Sequence, residues 1–185
     1  MEDTELVKQY LDGDESAFGH IIDTYLGPIS YFITRTIGKE HEIDDIAQEV
    51  FVKAWKKLDS YDQTKSFKTW LYTIARNTCI DYLRKRKDIM FSQLSNEDDD
   101  ITFEDTLRDN EPLPDEVFER TETKEMLERL ISTLPVHQRS VVGLKTFGEL
   151  TFEEIAVIEK RPVNTVKSDY RRGIHNLRKK IIHKP

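Results

Sequence analysis

The sequence predicts an all-α protein made of two small helical domains that are joined by an acidic, flexible linker. Apolar residues recur at the three- and four-residue spacing of helices, whereas the alternation typical of strands is scarce. Glycine and proline, which interrupt helices, number only seven and six in 185 residues. A hydrophobic content of 37% beside 34% charged residues suits two small cores better than one large core.

The predicted N-terminal domain, residues 1–88, contains four helical stretches. A short helix at residues 3–12 ends in a turn at 12–14. A longer helix at 16–38 is expected to kink or restart at Gly27-Pro28, because proline lacks the N–H that continues a helix. Residues 41–58 form a strongly amphipathic helix, and a polar loop at 61–68 leads into a helix at 69–87.

The composition changes sharply after this domain. Residues 92–128 hold fourteen acids against three basic residues, and the run Glu97-Asp98-Asp99-Asp100 lies in a part without sustained helical spacing. Such a segment buries too little apolar surface to fold alone. We therefore assign residues 89–113 to an acidic linker that is mobile by itself, and residues 114–185 to a second domain.

The second domain ends in a predicted helix–turn–helix at residues 151–180. Helical spacing resumes at residue 114, Pro135 begins a further helix, and Gly148 follows its end. Thr151 and Glu154 have the spacing of a capping box, which satisfies the first turn of a helix. Pro162 suits the first turn of the last helix, where its missing N–H costs nothing.

The last helix has two contrasting faces. One is an apolar stripe, and the opposite face with its flanks carries polar and cationic side chains: Asn164, Thr165, Ser168, Arg171, Arg172, His175 and Lys179. Residues 160–184 hold nine lysines and arginines but one acid, Asp169, although the whole chain has a net charge of −7. This pattern favours a recognition helix that binds DNA, and it also fits an amphipathic helix with a solvated basic face.

The helix at residues 69–87 offers a second candidate nucleic-acid surface. Trp70, Thr73, Asn77 and Arg84 share a sector away from its apolar stripe, and the helix ends in a run of four basic residues at 84–87. Aromatic rings stack on unpaired bases while cations hold phosphates. The alternative is that Trp70 belongs to the core and that the basic run stabilises a helix C-terminus.

Other features restrict the class of protein. The single cysteine, Cys79, lies inside a helical pattern and is expected to be a small core residue rather than a nucleophile. No apolar run reaches the roughly 18 residues of a membrane helix, and the acidic N-terminus is unlike a secretory signal, so we expect a cytoplasmic protein. His20, His41 and His137 lack metal-ligand spacing, so we expect no metal, cofactor or catalytic residue.

Two sets of motifs carry a resemblance to a known family. Residues 44–51 (DDIAQEVF), the pattern from Phe67 through Asn77, and Asp81 with Arg84 resemble region 2 of bacterial sigma factors. Residues 134–135 (LP), 154–156 (EIA) and 162–168 (PVNTVKS) resemble region 4. The order and spacing are similar to those of the extracytoplasmic-function (ECF) group of the sigma-70 family.

The resemblance implies an alternative sigma factor that binds core RNA polymerase and promoter DNA and performs no chemistry. It implies that the face with Asp44, Asp45, Gln48 and Glu49 docks on the clamp helices of the largest polymerase subunit, and that region 4 meets the polymerase flap. It also implies that the −10 element is opened and its non-template strand is held by Tyr61, Lys65, Phe67, Trp70, Arg76, Asn77 and Arg84.

Region 4 is expected to enter the major groove of the −35 element. The resemblance assigns this contact to Arg161, Asn164, Thr165, Lys167, Ser168, Arg171, Arg172 and Lys179. The family usually has glycine where this chain has Lys160 and Asn164, and we expect asparagine to preserve the turn because it tolerates unusual backbone. Asp169 replaces a common arginine and is expected to place a carboxylate near the DNA.

The family context also suggests a role for the linker and a further partner. An acidic linker can imitate nucleic acid inside the positively lined polymerase cleft, or it can be a solubilising spacer. We also expect an anti-sigma factor. Two competing functions are an independent helix–turn–helix regulator, which leaves the region 2 motifs unexplained, and a metallohydrolase, which lacks a ligand motif.

Overall fold

The structure is a computed structural model that describes residues 3–38, 42–93, 126 and 129–182. Within these ranges it consists of helices, turns and loops, without a strand, so the predicted all-α class is confirmed. The helices are α1 (Asp3–Leu11), α2 (Ser16–Ile37), α3 (Ile43–Lys57), α4 (Phe67–Gln93), α5 (Val136–Thr146), α6 (Phe152–Glu159) and α7 (Val163–Ile182), with a 3₁₀ turn at Leu58–Ser60.

The helix boundaries differ from the predicted ones at two places. α2 runs unbroken through Pro28, because the one hydrogen bond that proline removes is outweighed by a continuous buried face that includes Ile21, Ile29 and Ile33. α4 begins at Phe67 and continues to Gln93, past the predicted end at residue 87. Residues 94–125, which include most of the predicted linker, lie outside the described part of the chain.

The N-terminal half is a bundle in which α2, α3 and α4 pack on one another and α1 lies against α2. Its core is aliphatic and aromatic, with Ile33, Val50, Leu71 and Tyr72 almost fully buried. Cys79 is fully buried here, and desolvation raises the pKa of its thiol to about 12. The thiol therefore stays protonated at neutral pH, as expected of a core residue.

The C-terminal half is a smaller bundle of α5, α6 and α7. Gly173 allows α7 to approach α5 closely, since a Cβ at this position would lie 2.9 Å from Val142 Cγ2. The contact is continued by a small buried cluster of Ile131, Leu134, Val142 and Leu177. These contacts fix the angle at which the last helix projects from the domain.

The two halves pack directly against each other, which the sequence did not predict. α2 lies against α5, α4 lies against α6, and the largest buried cluster runs through both halves. At one end of the contact, the rings of Tyr31 and Phe147 meet edge to face with centroids 4.5 Å apart. Among the described residues, no helix is both long and apolar enough to cross a membrane.

Candidate polymerase and nucleic-acid interfaces

The four residues expected to dock on polymerase lie on the exposed side of α3. Asp44, Asp45, Gln48 and Glu49 are all exposed, while Ile46, Ala47 and Val50 on the other side are buried. Glu49 Oε1 is 2.7 Å from Lys53 Nζ, one turn along the same helix. The helix therefore presents a predominantly acidic, hydrogen-bonding surface to a partner.

This acidic surface continues into two exposed apolar side chains that the sequence reasoning missed. Val52 is 41% exposed and Trp55 is 49% exposed. Trp55 Nε1 donates a hydrogen bond to the Tyr10 hydroxyl at 2.5 Å, which fixes one edge of the indole. The sequence alone could have indicated these two residues. Val52 and Trp55 lie seven and ten residues after Asp45, so helical periodicity places them on the same face as Asp45.

The aromatic residues assigned to the −10 strand form a packed cluster instead of an open surface. Tyr61 and Phe67 are buried, and their ring centroids are 5.5 Å apart. The Trp70 ring lies 5.0 Å from Tyr61 and 5.4 Å from Phe67, and Tyr25 packs against the cluster from α2. In this conformation the rings of Tyr61 and Phe67 stabilise the loop at 61–66 and are not accessible to a nucleic-acid strand.

Two of the remaining −10 residues lie on exposed surface. Lys65 is exposed in the loop, with its Nζ 3.2 Å from Asp62 Oδ2. Arg84 is exposed on α4, with its Nη2 3.1 Å from Asp81 Oδ1. Exposed pairs of this kind contribute little to stability, so both cations can exchange their partner for a phosphate at little cost.

The middle of α4 contacts the C-terminal half, so the face predicted to be open is partly covered. Arg76 Nη2 lies 3.4 Å from Glu159 Oε2 on α6, and Arg76 Nη1 donates to Asn77 Oδ1 at 3.4 Å. Two turns before Arg76 on α4, the Thr69 hydroxyl donates a hydrogen bond to Glu154 Oε1 at 3.1 Å. The Arg76 side chain is consequently only 16% exposed, and the neighbouring Asn77 is half-buried.

The helix–turn–helix forms with the predicted capping box. The Thr151 hydroxyl accepts from the Glu154 backbone N–H, and the Glu154 carboxylate accepts from the Thr151 N–H. Burial would raise the pKa of Glu154, but hydrogen bonds from Thr151 and Thr69 together with the nearby Lys68 lower it overall. Glu154 therefore remains a carboxylate that both caps α6 and contacts α4.

The turn between α6 and α7 places its unusual backbone at Lys160. This residue adopts the left-handed conformation, with φ 53° and ψ 42°, while Asn164 lies in the first turn of α7. The turn therefore forms, as expected, but Asn164 does not account for it, because the conformation that favours glycine falls four residues earlier, at Lys160. Lys160 adopts it despite the steric cost of its Cβ.

Most of the predicted −35 residues lie on accessible surface of α7 and its preceding turn. Asn164, Ser168, Arg171, Arg172 and Lys179 are exposed, whereas Arg161, Thr165 and Lys167 are half-buried. Lys167 Nζ lies 3.5 Å from Glu153 Oε1 and above the ring of Phe152, so α6 restrains its direction. The predicted stripe is on the inner side, with Val166 and Leu177 buried.

Asp169 was expected to place a carboxylate near DNA, and the structure corrects this expectation. Its side chain turns inward and is only 10% exposed, because its Oδ2 accepts a hydrogen bond from Arg161 Nη1 at 2.6 Å. The pair ties the turn before α7 to the second turn of that helix. Asp169 thus positions Arg161, one of the predicted phosphate contacts, and does not face outward itself.

One further arginine is buried inside the C-terminal half. Arg139 on α5 is 2% exposed, and its Nε and Nη2 have no hydrogen-bond partner in the described part of the chain. Desolvation lowers the pKa of its guanidinium to about 10, so it still carries its charge at neutral pH. Its interior position separates it from the exposed cations of α7.

Comparison with known proteins gives matches to both halves of the chain. The model for sigma-70 region 2 matches residues 21–89, and the model for sigma-70 region 4 matches residues 124–177. The ECF RNA polymerase sigma factor SigW of Bacillus subtilis is 36% identical over 176 residues, which cover 95% of this chain and 94% of SigW.

Two solved structures have a similar fold. CnrH in complex with the cytosolic domain of CnrY superimposes with a TM-score of 0.72 at 20% identity, over 99% of both chains. The sigma factor RpoE in complex with the anti-sigma factor NepR from Bartonella quintana gives a TM-score of 0.69 at 22% identity, over 92% of this chain and 99% of RpoE. The similarity in fold therefore extends across both helical halves.

Proposed function

The chain belongs to the sigma-70 family as an extracytoplasmic-function sigma factor, and on this premise we propose which of its surfaces bind core RNA polymerase and which bind each promoter element. Such a factor binds core RNA polymerase and gives it its choice of promoter. The observation that carries the assignment is the presence of both regions, in order, in a chain that is similar to SigW over almost its whole length.

The acidic surface of α3 is the proposed contact with the clamp helices of the polymerase largest subunit. Three exposed carboxylates and one amide lie together there, on Asp44, Asp45, Gln48 and Glu49. A basic partner surface would be attracted and oriented by them, since complementary charges mainly control encounter and specificity. The buried side of α3 is part of the core, so charges can be changed on the outer side without loss of the fold.

The first half of α4 and the loop before it are the proposed −10 interface. Arg76 and Asn77 hold the single strand, and Lys65 and Arg84 contact phosphates at its two sides. The aromatic cluster of Tyr61, Phe67 and Trp70 supports the loop that would receive an unstacked base. Unstacking a base costs a few kcal/mol, and contacts to the opened strand offset that cost.

The exposed face of α7 is the proposed −35 interface. Asn164, Ser168 and Arg172 are spaced one helical turn apart and can reach base edges in the major groove. Arg171 and Lys179 lie beside them as proposed phosphate contacts. Arg161, whose direction is set by its pair with Asp169, is a further proposed phosphate contact in the turn before α7. The domain that presents this face also provides the proposed contact to the polymerase flap.

Other consequences follow from the same premise. The protein would act in the cytoplasm, where polymerase and promoters are found, and would contribute no catalytic group or cofactor. An anti-sigma factor is the proposed regulator, because the structurally similar RpoE was solved with one. The part of the acidic segment that follows α4, residues 94–113, is the proposed connection through the polymerase cleft.

The docking surface can be tested by reversing its charge. Asp45→Arg combined with Gln48→Ala should abolish co-elution with core RNA polymerase in gel filtration, while the circular dichroism spectrum stays that of the parent protein. Asp23→Arg is the matched control, because Asp23 is an exposed acid on a different helix, α2. If the double variant still co-elutes with core polymerase as well as the control does, the α3 surface is not the docking site.

A further inference from the structure

The first residue of α1 makes a side-chain contact with the core of the N-terminal half. The Tyr25 hydroxyl on α2 donates a hydrogen bond to Asp3 Oδ2 at 2.5 Å. Tyr25 is only 7% exposed, and its ring packs edge to face against Phe67, with the centroids 5.9 Å apart. Phe67 begins α4 and belongs to the aromatic cluster of Tyr61, Phe67 and Trp70. A chain of contacts therefore joins the start of α1 to the cluster that supports the proposed −10 loop.

The carboxylate of Asp3 affects both buried tyrosines of this region. Burial is the largest cause that raises the pKa of Tyr25, and the hydrogen bond to Asp3 and its negative charge raise that pKa further. Burial raises the pKa of Tyr61 as well, and the charge of Asp3 is the next cause. Both hydroxyls therefore stay protonated and act as donors at neutral pH. The Tyr61 hydroxyl donates to the backbone carbonyl of Lys65, which closes the loop at residues 61–66.

An alternative role for Asp3 is to stabilise α1. Acids in the first turn of a helix interact favourably with the N-terminal end of the helix dipole, and the first turn of α1 contains both Asp3 and Glu5. The two acids differ in their surroundings, because Glu5 is exposed whereas Asp3 is half-buried and accepts from the interior Tyr25 hydroxyl. The helix dipole accounts for an acid at either position, but it does not account for the hydrogen bond between Asp3 and Tyr25.

We propose that Asp3 is a positioning residue for the −10 interface: by accepting from the Tyr25 hydroxyl, it fixes the aromatic cluster and thereby the loop at residues 61–66 that receives the −10 strand. The inference rests on the proposed assignment of that loop to the strand. A loop that is already ordered loses less conformational entropy when it binds a partner. Loss of the Asp3–Tyr25 hydrogen bond should therefore weaken strand binding, even though Asp3 acts through Tyr25 and not by contact with DNA.

The first measurement concerns the aromatic cluster in the free, full-length protein. The chain has two tryptophans, so Trp55→Phe leaves Trp70 as the single tryptophan reporter, inside the cluster. In this background, Asp3→Ala should raise the acrylamide quenching constant of Trp70 and shift its emission to longer wavelength, because the rings that pack against it are held less firmly. Glu5→Gln is the matched control, since it removes an acid from the same helical turn. It should leave both quantities unchanged.

The second measurement is the affinity of the holoenzyme, formed with core RNA polymerase, for DNA. The probes are a fork-junction DNA with a single-stranded −10 non-template strand and a −35 duplex, both from a promoter mapped by transcription of genomic fragments. Asp3→Ala should weaken binding of the fork about tenfold, the equivalent of one hydrogen bond to a charged group. Binding of the −35 duplex should stay unchanged. Tyr25→Phe should have the same effects, and Asp3→Glu, which restores a carboxylate, should recover part of the affinity.

A double variant tests whether the two residues act as one unit. Asp3→Ala combined with Tyr25→Phe should bind the fork no more weakly than Asp3→Ala alone, because both changes remove the same hydrogen bond. Effects that multiply to about a hundredfold would overturn the proposal, since they would mean that the residues act independently. Tyr25→Phe keeps the aromatic ring and provides the test even if Asp3→Ala fails to fold, which circular dichroism would detect.

The remaining outcomes separate the positioning role from a structural role and from the assigned function. Unchanged Trp70 fluorescence in Asp3→Ala would overturn the proposal, because Asp3 would then not fix the cluster. Changed fluorescence with unchanged affinity for the fork would also overturn it, as would equal weakening by Glu5→Gln. If the parent protein does not bind core polymerase, the proposed function fails instead, and the fluorescence of the free protein still decides whether Asp3 fixes the cluster.

Discussion

Replacing Asp169 by asparagine tests whether this residue faces the protein interior or the DNA. The Arg161 side chain is 29% exposed and the Asp169 side chain 10%, and the hydrogen bond between them is 2.6 Å long. A hydrogen bond to a charged group contributes about 1.5–3 kcal/mol, and the partly buried position places this pair within that range. We expect a loss of about 2 kcal/mol in the free energy of unfolding.

The assay is thermal unfolding followed by circular dichroism. For a protein of this size, about 2 kcal/mol lowers the melting temperature by about 4–8 °C. The matched control is Asp81→Asn, since Asp81 pairs with Arg84 on exposed surface, where their side chains are 45% and 68% exposed. Exposed pairs contribute about 0–1 kcal/mol, so this variant should melt close to the parent protein.

The salt dependence of the melting temperature is a second test of the buried Asp169–Arg161 pair. The difference between the Asp169 variant and the parent should persist at high ionic strength, because partly buried pairs are screened less than exposed ones. An Asp169→Asn protein that melts at the same temperature as the Asp81→Asn control would refute the inward orientation. It would restore the expectation of a carboxylate on the DNA-facing surface.

Three further substitutions test the turn, the packing and the recognition helix. Lys160→Gly should raise stability by about 1 kcal/mol in urea unfolding, because glycine adopts φ 53° without steric cost. Gly148→Ala should lower stability by about 2 kcal/mol in the same assay, because its Cβ would lie 2.6 Å from the Leu144 carbonyl oxygen. Arg172→Ala should cost about 1–3 kcal/mol of discrimination at one position of a −35 duplex, measured by competition binding.

Each of these has an outcome that would contradict it. If Lys160→Gly lowers the free energy of unfolding, the lysine side chain stabilises the fold by more than its left-handed backbone conformation destabilises it. Unchanged unfolding of Gly148→Ala would show that the end of α5 relaxes freely. For the recognition helix, Arg178→Ala is the control on the same helix, and equal discrimination by the two variants would remove Arg172 from base readout.

The local features of the fold were predictable because they depend on residues close together in the sequence. The capping box at Thr151 follows from residue types three positions apart, and the outward face of α7 follows from helical periodicity. The four residues of the α3 surface were correctly expected on its exposed side. Their roles in binding polymerase and promoter DNA remain predictions that the experiments above address.

The contact between the halves was not predictable, because it joins residues more than eighty positions apart, as in the Arg76–Glu159 and Thr69–Glu154 pairs. One feature of the sequence does indicate that Glu159 is buried: it lies one turn after Ile155, within the apolar stripe of α6. Asp169 lies three residues after buried Val166 in the same way. An acid inside an apolar stripe indicates a buried partner, although the sequence does not identify which cation it is.

The most direct test of the sigma-factor account is transcription by purified core RNA polymerase on a library of genomic fragments, with and without this protein. The account predicts that the protein co-elutes with core polymerase and that new transcripts start at discrete sites that share upstream sequences. Identical transcripts in both reactions, together with no co-elution with core polymerase, would contradict it.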